Sequence, residues 1–396
     1  MILFRASFFK MGASALVLSA ALGAASAQDA TAVAERLKAT LAQQGTVIGW
    51  TAVSGSGGQV VLDGVTIGVE GTSAKFDLGK VTLDGVAEAN GGYTVASAQF
   101  PAYVMSKEGL TLEMKGTSIN GLRLPAEGST DPLAAFMFYD TADVATVNVK
   151  MGDKQIFTVE GAHAAMTPPA GDSALAFTVD IPKIAADLTS LPHPQTKLIV
   201  EALGYQNLTG NIKLNGTWQP SDGKITLAQY DMTVDNAGTL GMTLDLSGYT
   251  PAFIKSLQEM QKQMAAAPEG GDQTAQGIAM LGLMQQLTFN TAGIKFTDAS
   301  LTNKVLDYVG KMQGQSGKDI ANMAKAMVPF GMAQLNNPEL TTQVTTAVSA
   351  FLDDPKSLTI SAKPAAPIPF AVLAAGGMGD PKSLPKTLGV TVTAND

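Results

Sequence analysis

Cysteine is absent from this 396-residue chain. Its absence excludes a disulfide framework, thiolate metal sites and a cysteine nucleophile. Histidine is nearly absent as well. His163 and His193 stand alone in GAHAAM and LPHPQ, with no second histidine at metal or triad spacing, and both read as structural or surface residues. No H-E-x-x-H segment, EF-hand loop or G-x-S-x-G elbow occurs. GQSGKD (314–319) has Asp319 where a phosphate loop needs Ser or Thr, so it reads as a loop and helix start with Ser316 as the cap. Charge is sparse: 26 Lys and Arg face 34 acids, for a net charge of −8 and no basic cluster. Such a chain is poorly suited to nucleic acid or anionic headgroups. After residue 27 no apolar run is long enough to span a membrane.

What is present starts with the N-terminus. MILFRASFFK carries Arg5 and Lys10 and no acid, MGASALVLSAALG is apolar, and ASA follows at Ala25–Ala27. This is the pattern of a bacterial secretory signal. The expectation is cleavage after Ala27 and a periplasmic protein; the alternative is an uncleaved membrane anchor.

DATAVAERLKATLAQQ (29–44) places Val33, Leu37 and Leu41 on one helical face, and Gly45 ends it. The period then becomes two. Leu62-Asp63-Gly64-Val65 returns as Leu83-Asp84-Gly85-Val86, a local echo of two similar strand units. Short alternating runs bounded by Gly, Asn, Asp or Pro continue to Tyr249, interrupted at 130–141 and at 186–203, where Pro192 and Pro194 break a helix. KITLAQYDMTV and TLGMTLDLSG read as neighbouring strands around an Asp235–Gly238 turn, with Ile225, Leu227, Leu240, Met242, Leu244 and Leu246 on one apolar face.

Thr250-Pro251 then opens a helical segment. Helices follow near 251–264, 273–287, 301–312, 316–327 and 338–351, and LTFNTAGIKFTD (287–298) reads as a hairpin or two short strands. SLTISAKP and LGVTVTAN are closing strands around PIPFAVLAAGGM, read as a short helix. The expected fold is α+β: a large curled antiparallel meander with a helical segment packed on it. The expected divisions are a signal peptide at 1–27, a helix and sheet at 28–250, a Met-rich helical segment at 251–353, and closing strands at 354–396, the last three forming one body.

Methionine is the least ordinary feature. Met260/Met264, Met280/Met284 and Met323/Met327 are spaced i, i+4, so each pair shares a helix face. With Phe253 and Leu257 they form a candidate apolar-ligand face. Three readings stay open: a plain core, a pliable apolar surface, or thioether binding of Cu(I). Acid pairs, Asp353-Asp354 and Asp231 with Asp235, leave a carboxylate hydrolase as a further alternative.

The strand phrases GNIKLNGTW and GKITLAQYDMTVDNAGTLGMTLDLSG resemble the sheets of AsmA-like and YdgA-like bacterial envelope proteins, over about 50–250. The resemblance implies a long curled antiparallel sheet and, from the AsmA-like members, a role in moving or balancing lipids between membranes. It carries over no functional residue. The leading expectation is a non-catalytic periplasmic protein that needs no cofactor or metal and binds or carries a lipid or other apolar ligand in envelope maintenance. Peripheral membrane contact fits this reading. The alternative is a structural or partner-binding envelope module with a closed core.

Overall fold

Apolar and polar side chains that alternate at a period of two need a sheet with one face to bury. The chain forms one. The computed structural model describes residues 29–396, apart from 73–74, 130, 132, 135, 170–172, 191–192 and 267–272; the side chains of 262, 264–266 and 273–276 also lie outside the description. The expected signal peptide, residues 1–27, and Pro192 are therefore outside the described residues.

After α1 (Ala30–Gln43) come β1 (Thr46–Gly49), β2 (Ala52–Ser56), β3 (Gln59–Val69), β4 (Lys75–Ala89), β5 (Gly92–Phe100), β6 (Tyr103–Lys107), β7 (Leu110–Leu124), β8 (Thr141–Met151), β9 (Lys154–Thr167) and β10 (Leu175–Asp187). Next are α2 (Pro194–Leu203), β11 (Asn207–Gln219), β12 (Lys224–Val234), β13 (Gly238–Ser247), α3 (Pro251–Ala266), α4 (Gln273–Met284) and β14 (Thr288–Asp298). The chain ends with α5 (Leu301–Gln313), α6 (Gly317–Ala333), α7 (Pro338–Asp353), β15 (Ser357–Ala362), β16 (Ile368–Pro369), α8 (Phe370–Gly379), α9 (Leu384–Thr387) and β17 (Val390–Ala394).

All described strands join one antiparallel, curled sheet. β1 and β2 both pair with β3, β5 and β6 with β7, and β15 and β16 with β14, so each couple is one broken strand. Every other pairing joins sequence neighbours. β17 pairs with β15 at the far edge, and the sheet does not close. The expected α+β architecture is thus present. The sheet runs on across residue 250, because β13 pairs with β14 on the other side of α3 and α4.

Two local expectations need correction. LTFNTAGIKFTD is one strand, β14, paired along its length; its Ala-Gly step makes no turn because β13 and β15 flank it on both sides. Pro194 does not break a helix; it sits in the first turn of α2, where its missing N–H costs nothing. The expected apolar face of β12 and β13 is present, with Ile225 and Leu227 opposite Leu246 and Leu244, and it gains Tyr230 and Met232, which strict alternation would have sent to the other side. A bulge between Leu227 and Tyr230 moves both onto the apolar face, opposite Met242 and Leu240.

The two faces separate cleanly. On one, Asp143, His163, Asp180, Lys213 and Asp231 stand opposite one another across five strands. His163 Nδ1 lies 2.6 Å from Asp143. The other face is apolar. Under α1 it is sealed: Val33, Leu37 and Leu41 pack with Val60, Leu62, Val65, Leu83, Val86 and Val95, all under 9% exposed. Asp29 caps α1 by accepting from Thr31 N–H at 2.9 Å. A second cluster, Phe136, Phe138, Tyr139, Met166, Leu175 and Trp218, seals the middle of this face at one strand end.

Candidate functional site

The apolar face continues past these clusters, and there its cover by described residues stops. Cross-strand register places Leu214, Tyr230, Met242, Ile294, Ile360 and Val392 in one row from β11 to β17. Beside it runs Ile212, Met232, Leu240, Phe296, Leu358 and Ala394. Five inter-strand steps of about 4.8 Å make this floor about 24 Å across. Ile294 is 48% and Ile360 46% exposed, although both lie on the apolar side of a sheet.

Among the described residues, helices seal the margins of the floor, not its middle. At one strand end Phe351 of α7 meets Phe296 edge-on, ring centroids 6.3 Å apart. At the other, Phe370 of α8 meets Phe289 at 6.4 Å. Phe289 and Phe296 are seven residues apart on β14, about 23 Å at strand rise. α7 lies along β17 and β15 and shields that edge of the sheet.

The predicted site residues do not converge on this floor. Phe253 is 4% exposed and packs at a tilt against Tyr249, ring centroids 5.3 Å apart, next to the Trp218 cluster. It closes one end of the apolar face. Leu257 and Met260 are half-buried on α3, and the side chain of Met264 lies outside the described residues. Met284 is half-buried on α4, with Met280 37% exposed. Met323 and Met327 are 46% and 64% exposed on α6, joined one turn on by Phe330 at 75%. At about 100° per residue these three share one helix face, whereas the buried Gly317 and Ala321 lie on another. The methionine pairs thus divide between α3–α4 and α6, and the plain-core reading fails for Met323 and Met327. Sequence reasoning missed Ile294 and Ile360. Their alternation was visible, but the lack of a covering helix was not.

The polar candidates are each held in local contacts. Asp353 pairs with Lys325, and Asp354 with Lys356 at 2.7 Å. Asp231 accepts from Gln229 at 2.6 Å, on the face away from the floor. Asp235 shares a cleft of about 510 Å³ with Asp298 at the β12–β13 turn. There Asp235 accepts from Thr209 at 2.6 Å, and Asp298 takes both the N–H and the hydroxyl of Thr302 at 2.8 Å. Among the described residues no three of His, Asp and Glu are grouped to hold a metal ion. Ser316 and Asp319 form the expected cap of α6, a reciprocal capping box; the hydrogen bond from the Ser316 hydroxyl holds the Asp319 carboxyl below its ordinary range. Over the floor itself the only polar side-chain atom in the central row is the Tyr230 hydroxyl. Such a surface can offer burial, worth about 25 cal/mol per Å² of apolar area, and little else.

No helix among the described residues is long and apolar enough to cross a membrane. A family model described as an uncharacterized protein matches residues 231–395, which run from within β12 through β17 and include most of the floor and the helices around it. No curated protein matches the chain.

Proposed function

We propose that this protein is a non-catalytic periplasmic binding protein that holds a lipid or another apolar ligand against the β11–β17 floor, in maintenance of the cell envelope. One observation carries the reading: Ile294 and Ile360 stand half-exposed in the middle of an apolar sheet face whose two ends are sealed by aromatic pairs. Leaving such a surface in water forgoes a stabilisation that a helix or a ligand would supply. The floor is longer than an acyl chain of one membrane leaflet, about half of a ~30 Å hydrocarbon core. The resemblance of the strands to AsmA-like and YdgA-like sheets supports the same reading, as does the secretory pattern at residues 1–27.

The test is purification from cells followed by solvent extraction and mass spectrometry. Lipid should co-purify with the wild type and be lost from I294D/I360D, whose substitutions face solvent and leave the sealed clusters intact. A protein that yields no apolar compound would sink the proposal.

A second reading, a partner-binding envelope module, is favoured by the Met323, Met327 and Phe330 stripe on α6. Crosslinking that recovers one specific protein and no lipid would support it. A carboxylate hydrolase has less behind it, since the acids it would need are held by lysines, threonines or a glutamine.

A further inference from the structure

Helices α4 and α8 touch each other at one end of the floor, where Phe370, the first residue of α8, meets Phe289. From Gly277 to Met284 on α4, and along the whole of α8, no side chain is polar or charged. A helix at a protein surface normally turns its polar residues to water. Here the side turned to water is apolar. The exposed residues of α8 are Val372, Ala375, Met378 and Gly379, which share one face at about 100° per residue. Val372 is 53% and Met378 74% exposed, and Ile278 of α4 is 66% exposed. The other side of α8 is occupied, since Gly376 and Gly377 lie against Leu384 of α9.

Lysines gather beside this patch. Lys386 is on α9 and Lys382 in the turn before it. Lys363 joins them, because its N–H donates to the carbonyl of Gly389, just past α9, at 3.5 Å. All three are exposed, and among the described residues none has an ion-pair partner, whereas Lys356 nearby is held by Asp354. Asp380 is the one acid between residues 363 and 386. It shares a cleft with Glu339, Lys382 and Lys386 and pairs with neither lysine.

We infer that the α4–α8 face docks on an anionic lipid bilayer, with Ile278, Val372 and Met378 at the headgroup boundary and Lys363, Lys382 and Lys386 against the phosphates. Two observations select this occupant. The patch has no side chain that hydrogen-bonds, whereas a protein interface carries about one hydrogen bond per 100–200 Å²; the hydrocarbon boundary asks for none. The ammonium groups at its rim are free, and lysines beside an apolar surface are the complement of anionic headgroups. A second copy fits less well, since a two-fold contact through this face would bring the lysine cluster towards its own counterpart. The net charge of −8 belongs to the chain as a whole, and charges more than about 8 Å from the rim are largely screened at physiological salt. This docking goes beyond the ligand reading above and stands without it.

The experiment is flotation of the purified protein with vesicles of phosphatidylethanolamine and phosphatidylglycerol, and with phosphatidylcholine alone. Wild type is compared with I278S/V372S/M378S and with K363E/K382E/K386E. All six side chains are exposed, so both variants should keep the wild-type melting temperature. A single-label variant, M378C, reports the contact on an otherwise native chain, because no other thiol is present. The expected result is wild-type flotation with the anionic vesicles, at least a tenfold weaker partition for each triple variant, and a blue shift of an environment-sensitive dye at position 378. A wild type that does not float, an apolar variant that floats equally well, or a dye that stays in water overturns the docking. Equal flotation with phosphatidylcholine, or an undiminished lysine variant, overturns the selection of anionic lipid. Self-association or capture of an envelope protein through these residues without vesicle binding overturns the bilayer as occupant. Lipid extracted from a protein that fails to float leaves the floor reading standing, and flotation of a protein that yields no lipid supports the docking alone.

Discussion

Gly85 sits inside β4 with φ of +63°, and a Cβ added there would stand 2.6 Å from the Cβ of Ala96. Both facts require glycine. G85A forces a left-handed alanine and a clash, and should cost ~1–3 kcal/mol in urea unfolding. Adding A96G should recover the steric part and leave the backbone part. Gly64, its partner in the repeated Leu-Asp-Gly-Val phrase, has φ of +59° within β3. The echo in the sequence is thus a repeated glycine kink. The phrase was legible; its meaning depended on a backbone angle that the letters do not display. Ile294 is a similar case, since period two assigns its face and says nothing about what covers that face.

Among elements, the start of β9, the end of β10 and the turn Leu188–Ser190 that follows it are tied by one polar cluster. Asp187 accepts from Lys154 at 2.8 Å and from the N–H of Thr189 at 2.8 Å. The Lys154 bond first, then those from Thr189, lower its carboxyl to about 2. An unfolded aspartate titrates near about 3.9. A carboxyl depressed on folding adds stability that is fully present above the unfolded value and lost as pH falls through the folded one. The melting temperature of D187N should therefore lie below wild type at neutral pH, and the gap should shrink between about pH 4 and 2. Equal melting temperatures at pH 7 would mean that solvent screens this exposed pair fully. Helix caps were the most readable features: Ser316 and Thr250 each accept the N–H that their sequence contexts indicate. The methionine helices were less so. A spacing of four identifies a shared face, but whether that face meets a sheet, another helix or water is decided by partners far along the chain.

Taken whole, the molecule has a closed half and an open half. α1 buries the face of β3–β5, where Leu62, Val65 and Val95 have no exposure, while the corresponding face of β12–β15 stays half-exposed. Hydrogen exchange should report this division. Amides of β3–β5 should exchange slowest, those of β12–β15 faster, and an apolar ligand should slow the second group selectively. Uniform protection in the ligand-free protein would contradict an open floor. Sequence periodicity reaches the architecture because a meander is made of local pairings, each visible as two alternating runs and a turn. It does not reach the division into halves, which depends on which helices pack on the apolar face and which meet only its margin.

The strict neighbour-to-neighbour pairing has a consequence for how the chain acquires its shape. Contacts between adjacent strands have short sequence separation, and topologies rich in such contacts fold faster than those with distant pairings. A chain emerging N-terminus first would find each new strand's partner already in place. The long excursion comes between β14 and β15, where α5, α6 and α7 intervene. The closing of β15 and β17 is therefore the slow step expected of this topology, and until it happens β14 presents an unpaired edge.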